Sequence, residues 1–236
     1  MPKHVLYLLV ICLVFSCAEE STITFSEQTI TSPTNQIVEV NIPVAYGHEL
    51  IAAKINSAID SVIIANLSFN TENSAYPETL SESIEAFNAA ANRFKTDFPE
   101  SPMAWEAQID GEIMYQSNTV ISVAITSYLN TGGAHGNLVI SFLNFDAFTG
   151  KRLRNQQLFN DYAAFKQLAK KSFSKHIANK EDLYFDPDNF VLPENIGFND
   201  TGVILLYNSY EIAPYTTGLT EFTIDYETIY ELLNYY

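Results

Sequence analysis

The chain has 236 residues, 47% apolar and 17% charged, which supplies a core for one large domain or two small ones and shows no bias toward disorder. Its net charge of −16 argues against a nucleic-acid partner, because phosphate binding needs a basic footprint. Both cysteines, Cys12 and Cys17, fall in the first segment, so the rest has no disulfide, thiol nucleophile or thiolate metal site.

That first segment reads as an export signal. Lys3 and His4 precede the apolar run Val5 to Phe15, which meets Ser16 and Cys17. A basic start with an apolar stretch of about 7–15 residues marks a secretory leader, whereas a bilayer-spanning helix needs about 20. Val14-Phe15-Ser16-Cys17 resembles a bacterial lipobox, which makes residues 1–17 a lipoprotein signal and Cys17 the lipidated residue. Cys12 is the poorer candidate, because bulky Ile11 precedes it; an ordinary cleaved signal with an incidental Cys17 is the competing reading. Residues 18–21 form a tether whose Glu19 and Glu20 resemble the surface-export signals of Bacteroidetes lipoproteins. The expected location is the outer or cytoplasmic membrane, facing the periplasm or cell surface, with the lipid as the only membrane contact.

Beyond the tether, the β-branched runs 22–31 and 36–44 predict two strands around Ser32-Pro33-Thr34-Asn35. Gly47 opens a helix with Leu50, Ile51, Ile55, Ala58, Ile59, Val62 and Ile63 on one face. A polar loop with Asn70, Asn73, Ser74 and Pro77 separates it from a second helix, whose stripe is Leu80, Ile84, Phe87, Ala91, Phe94 and Phe98, closed by Pro99. Such an aromatic stripe is read as core. From Trp105 the period is two: strands are predicted over 105–115, 119–129 and 138–145, then a turn at Thr149-Gly150-Lys151. Residues 160–180 predict a basic helix, 189–198 and 203–207 two strands, and 221–224 a strand before a short helix over 226–233.

The fold class is therefore α+β: N-terminal strands with two helices packed on an antiparallel sheet, then a C-terminal β-meander with one long and one short helix.

Chemistry-bearing motifs are scarce. His4, His48, His135 and His176 form no pair at metal spacing, so neither a metal nor a cofactor is expected. Asp200-Thr201-Gly202 invites an aspartic-protease reading, but a single copy preceded by Asn199 suits a hairpin turn better. With 28 acids, some carboxylate pair will fall at any chosen separation, so pairing alone carries no weight. Eight of the twelve basic residues lie between Lys151 and Lys180, and none lies in 183–236.

One loop stands out. Gly132-Gly133-Ala134-His135-Gly136 places three glycines around a histidine, permitting close backbone approach and a ligand-reading imidazole. A structural hairpin explains the same residues. Tyr207, Tyr210, Tyr215, Tyr226, Tyr230, Tyr235 and Tyr236 crowd the C-terminal region, suiting either a recognition surface or packing.

Two stretches carry a family resemblance. The first is Tyr128-Leu129-Asn130-Thr131-Gly132-Gly133-Ala134-His135-Gly136-Asn137 with Phe145-Asp146-Ala147-Phe148-Thr149-Gly150-Lys151. The second is Leu206-Tyr207-Asn208-Ser209-Tyr210-Glu211-Ile212-Ala213-Pro214-Tyr215-Thr216-Thr217-Gly218 with Phe222-Thr223-Ile224. Together they resemble the RsiV/PdaC-like family, a small N-terminal α+β domain ahead of a C-terminal domain of unknown function. The resemblance implies domains at 22–133 and 134–236.

In one branch of that family the outer part of a membrane-spanning anti-sigma factor binds lysozyme; in another, a similar N-terminal region precedes a peptidoglycan deacetylase. This chain has neither a sigma-binding segment nor the deacetylase module with its Asp-His-His metal set. The resemblance implies a non-catalytic binding or sensing module. Its expected partners are a cationic protein such as lysozyme, drawn by the acidic charge, or peptidoglycan or another glycan. The alternatives are a glycan-modifying envelope enzyme and a purely structural envelope protein. The candidate ligand-binding residues are Gly132, Gly133, His135, Asn137, Tyr210 and Tyr215.

Overall fold

The computed structural model describes residues 22–32, 37–68 and 76–236. The leader with Cys17, the tether, the Pro33-Thr34-Asn35 turn and the stretch from Asn70 to Ser74 lie outside the described residues.

Strands β1 (Thr24–Thr31) and β2 (Val38–Tyr46) pair antiparallel, with Thr24 opposite Tyr46. Helices α1 (Glu49–Leu67) and α2 (Leu80–Asp97) follow, and then β3 (Glu106–Gln116), β4 (Val120–Asn130) and β5 (Asn137–Asp146). The two-residue β6 (Arg152–Leu153) completes a six-stranded sheet in sequential order. The expectation of an antiparallel sheet is corrected at one place: β2 and β3 are parallel, Val38 to Ala107 through Asn41 to Asp110. The reason is the helix pair between them, a crossover that returns the chain to the end of the sheet from which it left.

The helices cover one face of this sheet. Ile55, Ile59 and Ile63 of α1 and Ile84 and Phe87 of α2 pack on Val38, Val40, Ile109, Ile121, Val123 and Ile125. Thr79 and Glu82 form a capping box that starts α2: Thr79 Oγ1 accepts from Glu82 N at 3.2 Å, and Thr79 N donates to Glu82 Oε2 at 3.3 Å. Leu50 and Phe98, both assigned from their spacing to inner faces, are exposed: Leu50 lies in the first turn of α1 and Phe98 is the residue that caps the end of α2.

The other face carries a second layer. Strands β7 (Asn195–Phe198), β8 (Gly202–Tyr207) and β9 (Thr220–Asp225) form a three-stranded antiparallel meander. Helix α3 (Tyr162–His176), started by Asp161 accepting from Ala164 N at 2.9 Å, buries Phe165, Ala169 and Phe173 in the core that it shares with the meander. The short α4 (Tyr226–Ile229) contributes Ile229 to the same core. The strand expected over 189–198 is confined to Asn195–Phe198. Pro193 has no N–H to give a ladder, and the residues before it follow an irregular path.

The two sheets meet along Ala124, Phe142, Ile204 and Leu206. Strand β4 is therefore covered on both sides, which is why Val120 to Ile125 shows little polar alternation. A buried polar line runs through this apolar contact. Ser122 Oγ donates to Asn144 Oδ1 (2.8 Å) and accepts from Phe198 N (3.1 Å), while Asn144 Nδ2 donates to Ile196 O (2.7 Å).

The outer edge of β5 is closed by amides from the second layer. Asn208 both accepts from Ile140 N (2.8 Å) and donates to Ile140 O (2.9 Å), and Asn195 accepts from Phe142 N (2.8 Å). These side chains replace a missing neighbour strand and protect the edge. The 133/134 boundary expected from the family resemblance falls in the connection between β4 and β5, two strands of one sheet.

Candidate functional site

The β4–β5 connection and the segment after β8 meet in space. Asn130 Oδ1 accepts from Gly132 N at 3.1 Å and turns the chain back. Gly132, with φ of +85°, faces Phe94 and Trp105; an added Cβ would lie 3.2 Å from Phe94 Cζ. Gly136 is buried because the Tyr128 ring occupies the space a side chain would need, 2.3 Å from an ideal Cβ. Between them His135 is pushed outward and lies flat on Tyr215, with ring centroids 3.9 Å apart and planes at 18°.

One carbonyl ties the two segments. Gly136 O accepts from His135 Nδ1 at 2.9 Å and from the Tyr215 hydroxyl at 3.3 Å. Because a carbonyl can only accept, Nδ1 is the donor in this contact. Tyr210 stands 5.7 Å from Tyr215, ring to ring. Its φ of +70° is an uncommon conformation for a residue with a side chain and holds its ring outward, 57% exposed.

The run after Tyr210 anchors this geometry. Glu211 accepts from Asn208 N at 2.8 Å and Glu194 N at 3.2 Å, Ile212 O accepts from Phe185 N at 3.0 Å, and Ala213 is buried. Burial holds the Glu211 carboxyl above the usual carboxylate range, against the opposing pull of its two backbone donors.

Of the six candidates, His135, Tyr210 and Tyr215 are brought together. Gly132 turns the loop toward the N-terminal core, Gly133 is exposed with only His135 O near its would-be Cβ, and Asn137 sits exposed at the start of β5 opposite Leu129. Asp200 is an exposed turn residue of the β7–β8 hairpin, where Asn199 Oδ1 accepts from the backbone of both Thr201 and Gly202.

The sequence reading missed one part of the face. Residues 183–191 lie beside the Tyr210–Tyr215 segment through the Phe185–Ile212 hydrogen bond, and they leave Phe185 62% and Val191 59% exposed. Glu181, Asp182, Asp186 and Asp188 lie next to these apolar groups in the chain, and all four are exposed. The only available signal was large apolar residues on either side of Asp186, Pro187 and Asp188, which no regular period explains. A concavity of about 370 Å³ opens at the junction of the sheets over Ala124, Ile140, Phe142 and Leu206, with Glu112 and Glu221 among its lining. Burial raises the Glu221 pKa. Among the described residues no group of three or more His, Cys, Asp or Glu is arranged to hold a metal ion.

Comparison with known proteins agrees with this two-layer arrangement. Residues 30–138 match the family described as Deacetylase PdaC, and residues 148–227 match the one described as Protein of unknown function (DUF3298). No curated protein matches the chain significantly. A DUF3298 family protein of Pseudomonas aeruginosa PAO1 has a similar fold, with a TM-score of 0.61 at 19% identity over 91% of this chain and 94% of that one. A DUF3298 family member of Bacteroides fragilis NCTC 9343 gives a TM-score of 0.66 at 18% identity over the same shares. At such identities the likeness concerns the fold. The two family matches, in this order along one chain, give the protein the two-domain architecture of the RsiV/PdaC-like family.

Proposed function

We propose that this is a non-catalytic lipoprotein of the cell envelope, exported and held to a membrane through Cys17, whose exposed aromatic face binds a cationic protein of the lysozyme type. The observation that carries the reading is the face itself. Tyr210 stands exposed beside the His135–Tyr215 stack, Phe185 and Val191 stand exposed on the segment bonded to Ile212, and exposed acids neighbour them in the chain. Aromatic anchors within a polar rim are the usual anatomy of a protein-binding patch. A rim of one charge sign steers a partner of the opposite sign and makes association salt-dependent.

A non-catalytic role is supported by how the loop uses its polar groups. His135 commits Nδ1 to a backbone carbonyl and one ring face to Tyr215, so the imidazole acts as a structural wedge between two segments. The test is calorimetric titration of the protein with hen lysozyme at low and high salt. Tight binding that weakens with salt is expected. Binding of muropeptides without binding of lysozyme would replace the protein partner with a glycan, and turnover of muropeptides would overturn the non-catalytic reading. The anchor is tested separately by palmitate labelling of cells expressing the wild type or Cys17→Ser. Label is expected only in the former.

A further inference from the structure

The proposed face contains a cavity. It lies between residues 184–191 and the end of β8, measures about 140 Å³, and has aromatic side chains as half of its lining. Around Phe173 stand Tyr184, Phe190 and Tyr207, with ring centroids 5.7, 5.4 and 5.6 Å from it and planes at 81°, 45° and 55°. At these separations and angles the four rings pack edge-on and tilted against one another in the second core, and each also lines the cavity. Phe185 adds a further wall on the exposed side.

Two carboxylates, Asp186 and Glu211, share the lining. Glu211 is fixed there by its two backbone donors, from Asn208 and Glu194. The Tyr207 hydroxyl is turned to Val191 O at 2.6 Å, so its proton is spent inside the protein. No Lys or Arg occurs anywhere in 183–236, so no cation from this stretch neutralises the two acids.

Aromatic faces attract cations through their quadrupoles, most strongly where water is excluded, and a carboxylate beside them selects a cation that carries N–H donors. Size narrows the choice. An engineered cavity of about 150 Å³ accepts benzene, six heavy atoms; a lysine side chain has five beyond Cα, four carbons and the nitrogen. We infer that the cavity formed by Phe173, Tyr184, Phe185, Phe190, Tyr207 and Glu211 is an ammonium cage that receives a lysine side chain of the bound protein. The inference rests on the reading of this face as a protein-binding surface and specifies what that surface recognises.

The test is an NMR titration of the protein with Nα-acetyl-lysine methylamide and with the norleucine compound, which keeps the four-carbon stem and lacks the ammonium. The lysine probe is expected to shift the signals of Phe190, Val191 and Tyr207 and to bind about tenfold or more tightly than norleucine, the factor that a cation–π contact with a partly desolvated ion gives. Asp186→Asn, at an exposed position, is expected to weaken the lysine probe severalfold and leave norleucine unchanged. Equal binding of the two probes, or no shift at those three residues, overturns the cage. A parallel lysozyme titration separates the two ideas. Lysozyme binding without a lysine shift removes the cage and leaves the protein-binding face; a lysine shift without lysozyme binding keeps the cage and removes that partner.

Discussion

The Tyr128 ring lies where Gly136 would carry a side chain: an ideal Cβ would come within 2.3 Å of the ring carbons and hydroxyl. The glycine is therefore required by packing, and its φ is not in the left-handed region. Gly136→Ala is expected to cost about 1–3 kcal/mol, as overpacking does, read as a lower urea midpoint with an unchanged slope. Gly133→Ala meets only His135 O at 3.6 Å and is expected to change stability by less than about 0.5 kcal/mol. In a Tyr128→Ala background the Gly136→Ala penalty should largely vanish. A penalty that survives there would mean that the ring is not its cause.

Asn144 connects the layers, accepting from Ser122 Oγ and donating to Ile196 O, and all three residues are buried. Asn144→Ala leaves the Ile196 carbonyl without this donor and the Ser122 hydroxyl proton without an acceptor, although Ser122 Oγ still accepts from Phe198 N; a buried group left unpaired costs about 1–3 kcal/mol. Because the line joins both sheets, calorimetry of the wild type should show one unfolding transition, and the variant a lower and broader one. Two separate transitions in the wild type would contradict the coupling.

His176 supplies a pH dependence. Burial first, and then the charge of Lys180, hold its pKa below the ordinary 6.5, and its ring lies 5.7 Å from that of Phe222. The unfolded chain then binds this proton more readily than the folded one, so the stabilisation is present above about pH 6.5 and is lost as pH falls through the folded value. His176→Gln is expected to flatten the fall in unfolding temperature between pH 7 and pH 5. A parallel fall in wild type and variant would remove His176 as the source.

Helices α1 and α2 and strands β3 to β5 were legible because each buries a face whose period the sequence repeats. The parallel pairing of β2 with β3 was not, since a strand's own pattern does not encode its neighbour's direction. His135 and Tyr215 were legible as residue types within distinctive runs. Their contact, across 79 intervening positions, depends on Asn208 gripping the β5 edge at Ile140, a tertiary event with no local signature. Residues 183–191 were illegible for a related reason. Their exposed apolar groups follow an irregular path, and regular periods report only elements that pack on a core.

The exposed apolar and aromatic groups Phe185, Val191 and Tyr210 are proposed to form a binding face for a cationic protein. The most direct test is calorimetric titration of lysozyme into the wild type and into the double variant Phe185→Ala/Tyr210→Ala. Both side chains are more than half exposed, so the variant should fold and melt as the wild type does. Its affinity should fall by about 30-fold or more, the loss of two anchors at over 1 kcal/mol each. Undiminished binding by a folded double variant, or no binding of lysozyme by the wild type even at low salt, would contradict that role.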